Sequence, residues 1–250
     1  MMWKVTFCQQ AGTLKKRNQD ALFNGQRVYQ YVLKKSETIE IDKENLIIGI
    51  SDGVSHSPRP ELASRYFMEK LQACNHLNSQ WLRATHQQFC EEHCQRIFGS
   101  SCTFVAAQLS PNGQCLIMNV GDSRAYRITA QGEWIQLSYD HILLNRLTPN
   151  ADQTTEYATM YYGLSDALIA DHEETDFHIF ILQYQLEKGD FLLLCSDGLT
   201  DDIPEHIRHT IWQKFDNIEE KLTALRQYTK GLKRRDDFSV ITLLFNNYGG

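Results

Sequence analysis

Apolar and polar positions divide the chain into many short strand-like runs, interrupted twice by longer helical stretches. β-Branched and apolar residues cluster at 3–8, 28–33, 46–50, 103–109, 115–120, 125–129, 177–186, 191–195 and 238–245, and such runs predict strands. The polar segments 110–113 and 129–132, each ending in Gly, separate neighbouring runs as hairpin-like turns. Helical periodicity falls in two pairs, 60–73 with 79–98 and 204–215 with 218–232. Pro60 and Pro204 stand where a first helical turn tolerates proline. Strands in runs with helical hairpins between them predict an α+β architecture, antiparallel sheets covered by helices, rather than a parallel βαβ fold. No repeat or low-complexity linker interrupts the 250 residues, so a single domain over 1–250 is expected.

Composition narrows the class. With 42% hydrophobic residues the chain can bury a substantial core. Its net charge of -6 and the lack of a basic stripe argue against nucleic acid as partner. No apolar run reaches the roughly 18 residues of a membrane span, and the first residues lack the plan of a signal peptide. Seven cysteines, an odd number at scattered spacings, read as reduced thiols rather than a disulfide framework. A cytoplasmic protein with no membrane partner, and a monomer, is the expectation.

Candidate chemistry lies where strands end. Three times an apolar run leads straight into Asp beside a small residue: Asp52-Gly53, Asp122-Ser123 and Asp197-Gly198. Asp236-Asp237 precedes the last run, and Asp20 follows the first. An Asp-Gly pair taken singly most often just turns the chain. Five acidic sites at strand ends point further, because ionised carboxylates converging at buried strand mouths require a compensating cation. Donors that are all oxygen, with no His or Cys, select hard ions such as Mg²⁺ or Mn²⁺. A glycine beside the ligand lets backbone approach, and its carbonyl can join the shell.

In order and spacing these motifs resemble the metal-dependent protein phosphatase family (PPM, type 2C), across nearly the whole chain. Segment 15–20 (Lys-Lys-Arg-Asn-Gln-Asp) resembles its first acidic motif, and 51–64 its Asp-Gly loop leading into a helix. Segment 101–107 resembles its Gly-Thr-Thr strand. The most specific likenesses are 119–126 (Asn-Val-Gly-Asp-Ser-Arg-Ala-Tyr) and 193–201 (Leu-Leu-Cys-Ser-Asp-Gly-Leu-Thr-Asp). Asp140-His141 and 236–239 complete the series.

The resemblance implies a four-layer α-β-β-α sandwich with two Mg²⁺ or Mn²⁺ ions at one end. It implies Asp20, Asp52, the Gly53 carbonyl, Asp197 and Asp236 as metal ligands, Asp52 as the bridge, and Asp122 and Asp201 around a weaker third ion. The implied reaction is hydrolysis of phosphoserine and phosphothreonine in proteins by a water that the two ions activate, opposing a serine/threonine kinase.

Departures from the family pattern set further expectations. Lys15 replaces the usual phosphate-binding Arg and loses its bidentate fork; Arg17 or Lys16 are candidates to serve in its place, weighed equally against a plain surface role. The stiffer loop after Asp52 offers His56 as a candidate proton donor to the leaving group. Asp237 stands where the family has Asn, its charge either solvated or altering metal affinity. The flap segment, about 141–163, is short, as in small bacterial members. These departures motivate an alternative, a pseudophosphatase that binds phosphoproteins as a regulatory module; a two-metal hydrolase of a small phosphate ester is a third reading. Separately, His86, Cys90, His93 and Cys94 share one predicted helix, where zinc is weighed against an ordinary helix face.

Overall fold

The computed structural model describes residues 2–13, 15, 17–30, 35–148 and 157–246. In chain order the first strands are β1 (Met2–Gln10), β2 (Ala21–Phe23), β3 (Val28–Tyr29), β4 (Glu37–Asp42) and β5 (Leu46–Ser51). Two helices follow, α1 (Pro60–Gln72) and α2 (Ser79–Ile97). Next come β6 (Ser101–Cys102), β7 (Phe104–Leu109), β8 (Gln114–Val120), β9 (Arg124–Ile128), β10 (Trp134–Gln136) and the short α3 (Leu143–Leu147). A 3-10 turn at Thr159–Tyr162 leads to β11 (Leu168–Ile169), β12 (Phe180–Gln185) and β13 (Phe191–Cys195). The chain closes with α4 (Asp197–Thr200), α5 (Glu205–Lys214), α6 (Ile218–Lys230) and β14 (Phe238–Leu244).

Two six-stranded sheets result, ordered β10-β9-β13-β14-β1-β4 and β12-β8-β7-β5-β2-β3. Every pairing within them is antiparallel. The alternation of strand side chains sorts the core into three layers. Along β1, Trp3, Val5 and Phe7 enter the layer between the sheets, while Cys8 turns to the layer under α5 and α6. Along β5, Leu46, Ile48 and Ile50 face between the sheets and Ile47 faces α1. Both faces of β5 are therefore buried, which explains why its sequence is an unbroken apolar run. Each such side chain contributes about 1.5–3 kcal/mol on burial. The α+β class and the four-layer arrangement thus agree with expectation.

Smaller features differ from expectation. β4 carries the sequence Glu-Thr-Ile-Glu-Ile-Asp, and only Ile39 and Ile41 pack inward from this edge position. Its acids hide a period-two pattern that the edge of a sheet tolerates. The run expected at 28–33 pairs only through Val28–Tyr29, and 31–34 lie outside the described residues. Thr103, expected inside a strand, sits between β6 and β7 and turns its hydroxyl to the Asp52 amide at 3.0 Å. All seven cysteines are free. Among the described residues no helix is long and apolar enough to cross a membrane.

Candidate metal centre

Strands of both sheets deliver acids to one end of the sandwich. Asp20 stands immediately before β2, Asp52 immediately after β5, and Asp122 in the turn after β8. From the other sheet, Asp197 opens α4 directly after β13 and Asp236 precedes β14. The Asp52 carboxyl lies against those of both Asp20 and Asp197. Asp20 is fully buried and Asp52 is 8% exposed. Burial, followed by the charge of Asp237, pushes Asp20 up to about 7. Burial and the charges of Asp20 and Asp197 drive Asp52 well above the carboxylate range. Asp197 rises to about 6, chiefly from burial. Asp122 is raised by burial and by Asp197 and Asp140, while Asp201 caps α4 at an exposed position.

The local backbone explains why these positions read Ser-Asp-Gly. Thr103 clasps Asp52 twice, accepting from its amide and donating its own N–H to the Asp52 carbonyl at 2.8 Å. Ser51 Oγ donates to the Thr103 carbonyl at 2.6 Å. In the second copy, Ser196 Oγ donates to Asp20 Oδ2 at 2.8 Å and accepts from the Ser239 amide at 3.0 Å. Neither Gly53 nor Gly198 needs a left-handed backbone; both need space. A Cβ on Gly53 would stand 2.6 Å from the Pro60 carbonyl oxygen, and one on Gly198 would overlap the Asp237 carbonyl. The Asp-Gly pairs are thus close backbone crossings beside carboxylates, not open turns. The repeated Ser before Asp-Gly is the local signal that marks Ser196, whereas the partnership of Thr103 with Asp52 is decided by the fold.

Asp20 Oδ1 and Asp197 Oδ1 are buried and have no hydrogen-bond partner. Orphaned buried carboxylate oxygens are rare because each costs desolvation. The donor set is oxygen throughout, which suits Mg²⁺ or Mn²⁺. As they stand, no three His, Cys, Asp or Glu side chains among the described residues surround a common point ready to hold an ion; the carboxyls press on one another instead. Chemistry and orphaned atoms therefore fit a hard cation, with small side-chain rotations needed to open the shell.

Lys15 and Asp237, the two departures at opposite ends of the sequence, meet here. The Lys15 ammonium binds Asp236 Oδ1 and lies 3.3 Å from Asp237 Oδ2. Burial alone would lower its pKa, but the Asp237 and Asp236 carboxylates override that and hold it above the usual lysine range. Asp237 is not solvated: it is fully buried. Its Oδ1 accepts from the Gly12 amide at 2.6 Å and its Oδ2 from the Gln19 amide at 2.7 Å. Asp237 thereby staples both ends of the loop between β1 and β2. His56 is exposed and makes no hydrogen bond among the described residues. Lys16 and residues 149–156 of the expected flap lie outside the described residues. The remaining flap holds α3 and a bridge between Ile142 and Leu164.

The helical His/Cys patch has a different character. His86 is buried with Nε2 at 2.8 Å from the Ile169 carbonyl, and Cys90 Sγ donates toward the carbonyls of Ile169 and Asp171. His93 packs against the rings of Tyr66 and Phe89. These contacts tie α2 to the chain around β11 and assemble no metal shell.

The chain is 29% identical over 168 residues to the serine/threonine phosphatase stp of Listeria monocytogenes, covering 64% of this chain and 66% of that one. Matches to curated relatives span between about half and two thirds of those proteins' own length. A crystal structure of a bacterial serine phosphatase superposes with a TM-score of 0.78 at 22% identity, covering 99% of this chain and 100% of that chain. The catalytic domain of the serine/threonine protein phosphatase PstP, solved with two manganese ions, superposes with a TM-score of 0.73 at 18% identity over 98% and 99%. At such identities the likeness is one of fold. The family model described as protein phosphatase 2C matches residues 38–234, a span that includes Asp52, Asp122 and Asp197 and stops short of Asp20 and Asp236 at either end. With that match covering most of its length, the chain belongs to the protein phosphatase 2C family.

Proposed function

We propose that this protein is a metal-dependent phosphatase that hydrolyses phosphoserine and phosphothreonine in proteins. The observation that carries the reading is the meeting of Asp20, Asp52 and Asp197, with orphaned buried oxygens on two of them. Asp20, Asp52, the Gly53 carbonyl, Asp197 and Asp236 would hold two Mg²⁺ or Mn²⁺ ions, and Asp122 with Asp201 a third. Two such ions supply an acidified water as nucleophile and positive charge for the phosphoryl oxygens.

The chain's own part is preorganisation. Thr103 holds the Asp52 backbone and Ser196 holds the Asp20 carboxyl through buried hydrogen bonds, which limits the reorganisation needed as charge develops. Lys15 offsets the charge of Asp236 and Asp237. His56, exposed beside the Asp52 loop, is the proposed donor to the leaving oxygen. Free cysteines throughout suit a reducing compartment, and a cytoplasmic single-domain monomer opposing a serine/threonine kinase completes the reading.

The test is phosphate release from a phosphothreonine peptide with Mn²⁺, for wild type and Asp52→Asn. Turnover abolished by both EDTA and the substitution supports the proposal. Absence of turnover by folded wild type with either ion sinks it and favours the phosphoprotein-binding pseudoenzyme.

A further inference from the structure

The family resemblance makes Lys15 the expected phosphate-binding cation, yet its ammonium is engaged by two carboxylates. Other cations stand beside it. Arg17, Gln19, Arg59 and Glu61 line an open cleft of about 330 Å³. Gln19 forms the wall between this cleft and the carboxylates, and it is fixed from several sides. Its amide donates to Asp237, its carbonyl accepts from the Gly53 amide at 3.2 Å and from Ser64 Oγ at 2.5 Å, and its Oε1 accepts from Ser55 Oγ at 3.1 Å.

Arg59 is built into this wall unusually rigidly. It lies between Pro58 and Pro60, and among the described residues it is the only non-glycine with a left-handed backbone, φ 51°. Such a conformation costs about 1–3 kcal/mol and persists where surroundings enforce it, commonly at functional sites. Its carbonyl is held by Ser100 Oγ at 3.2 Å and the Leu62 amide at 2.9 Å. The next residue, Pro60, presses its carbonyl against Gly53, so the position of Arg59 is coupled to the Asp52 loop. Arg59 Nε binds Glu61 Oε1 at 2.7 Å, which orients the guanidinium and leaves its terminal N–H groups without a partner among the described residues. Arg17 is exposed and likewise unpartnered among them. Two guanidinium groups against one carboxylate leave the cleft a surplus positive charge, on a chain of net charge -6.

We propose that this cleft is a second anion subsite, taking an acidic or phosphorylated side chain that flanks the reacting residue of a phosphopeptide. The assignment rests on the phosphatase reading above. The reacting phosphoryl group itself belongs over the carboxylates, from which Gln19 separates the cleft, so the bound anion is a neighbouring one. Guanidinium forks match carboxylate and phosphate oxygens bidentately, and a preset Arg59 loses little freedom on binding.

The test uses three phosphothreonine peptides that differ at the flanking positions: Asp, phosphoserine or Ala. The quantity read is the ratio of kcat/KM for each anionic peptide to that for the Ala peptide, in wild type, Arg17→Gln, Arg59→Gln and the double variant. Wild type is expected to prefer anionic flanks about five-fold, as partly exposed charge-assisted contacts allow, and the double variant to bring the ratio to about one. Preference for phosphoserine alone assigns the subsite to phosphate; preference for both assigns it to anions generally. A wild-type ratio of one, or a ratio unchanged in the double variant, overturns the proposal. Fluorescence anisotropy with the same labelled peptides reads the same ratio in Kd. If no peptide is turned over, the phosphatase reading fails, while the binding ratio still decides the subsite.

Discussion

Two parts of this molecule gather residues of the kind that bind metals, and they end in opposite conditions. On α2, His86 and Cys90 come from a single helix, and each finds a backbone carbonyl near β11. At the end of the sandwich, Asp20, Asp52 and Asp197 come from three distant segments, press together, and leave Asp20 Oδ1 and Asp197 Oδ1 without a partner. The first cluster has satisfied its polar atoms and is structural. The second keeps buried carboxyl oxygens without partners, which folding alone gives no reason to keep. What marks a site is therefore the unmet demand of its atoms rather than the residue types gathered there.

The sharpest way to break this comparison is to neutralise one cluster and then the other. Asp52→Asn should lower turnover by about a hundred-fold or more, given the several kcal/mol that bound cations supply, and should abolish Mn²⁺ binding by calorimetry. His86→Ala should leave the Mn²⁺ isotherm unchanged. Its cost should appear in denaturant melts, as about 2 kcal/mol from the lost buried hydrogen bond and ring packing. Mn²⁺ binding weakened equally by both substitutions would erase the distinction.

A pH titration of stability under chelator sharpens it further. The folded pKa values of Asp20 and Asp197 are raised to about 7 and about 6, above their unfolded values near 4. The folded protein then binds more protons than the unfolded chain between these limits. Stability from these groups is fully present below about pH 4 and is lost as pH rises through about 6–7. The difference in unfolding free energy between wild type and Asp20→Asn should therefore move against wild type as pH rises, and saturating Mn²⁺ should reverse it. A pH-independent difference would show that neither burial nor neighbouring charge raises Asp20.

Smaller effects test the supporting structure. Gly198→Ala forces a methyl into the Asp237 carbonyl and should cost about 1–3 kcal/mol of stability, with a matching loss of activity. His56→Ala should slow peptide turnover several-fold, more for a poor leaving group than for p-nitrophenyl phosphate. Equal rates for both leaving groups across pH would remove His56 from the reaction.

Much of the architecture was legible because the signals were local. β13 has the bounds of its apolar run, and α1, α2 and α6 differ from their periodic segments only near their ends. The short β2 and β10 and the acidic edge strand β4 were not legible, because pairing with a neighbour rather than composition makes them strands. At the candidate site, the Asp-Gly motifs stood out in the chain, and their glycines were legible either as turns or as points of close backbone approach. Only the crossing of Pro60 over Gly53, and of Asp237 over Gly198, shows that the requirement is space.

The sequence by itself determined the class of fold, the strand ends that carry acids, and membership in a family whose motifs keep their order. Those properties are written in nearest-neighbour chemistry: periodicity, turn residues and the spacing of charges along one chain. Tertiary structure alone decided that Lys15 is bound by Asp236 and Asp237, that Asp237 is buried and staples a loop, and that Arg17 and Arg59 share a cleft. The reason is physical: whether a charge is solvated, paired or left waiting depends on what the fold brings within a few ångströms of it, and partners some 220 residues apart along the chain leave no trace in local pattern.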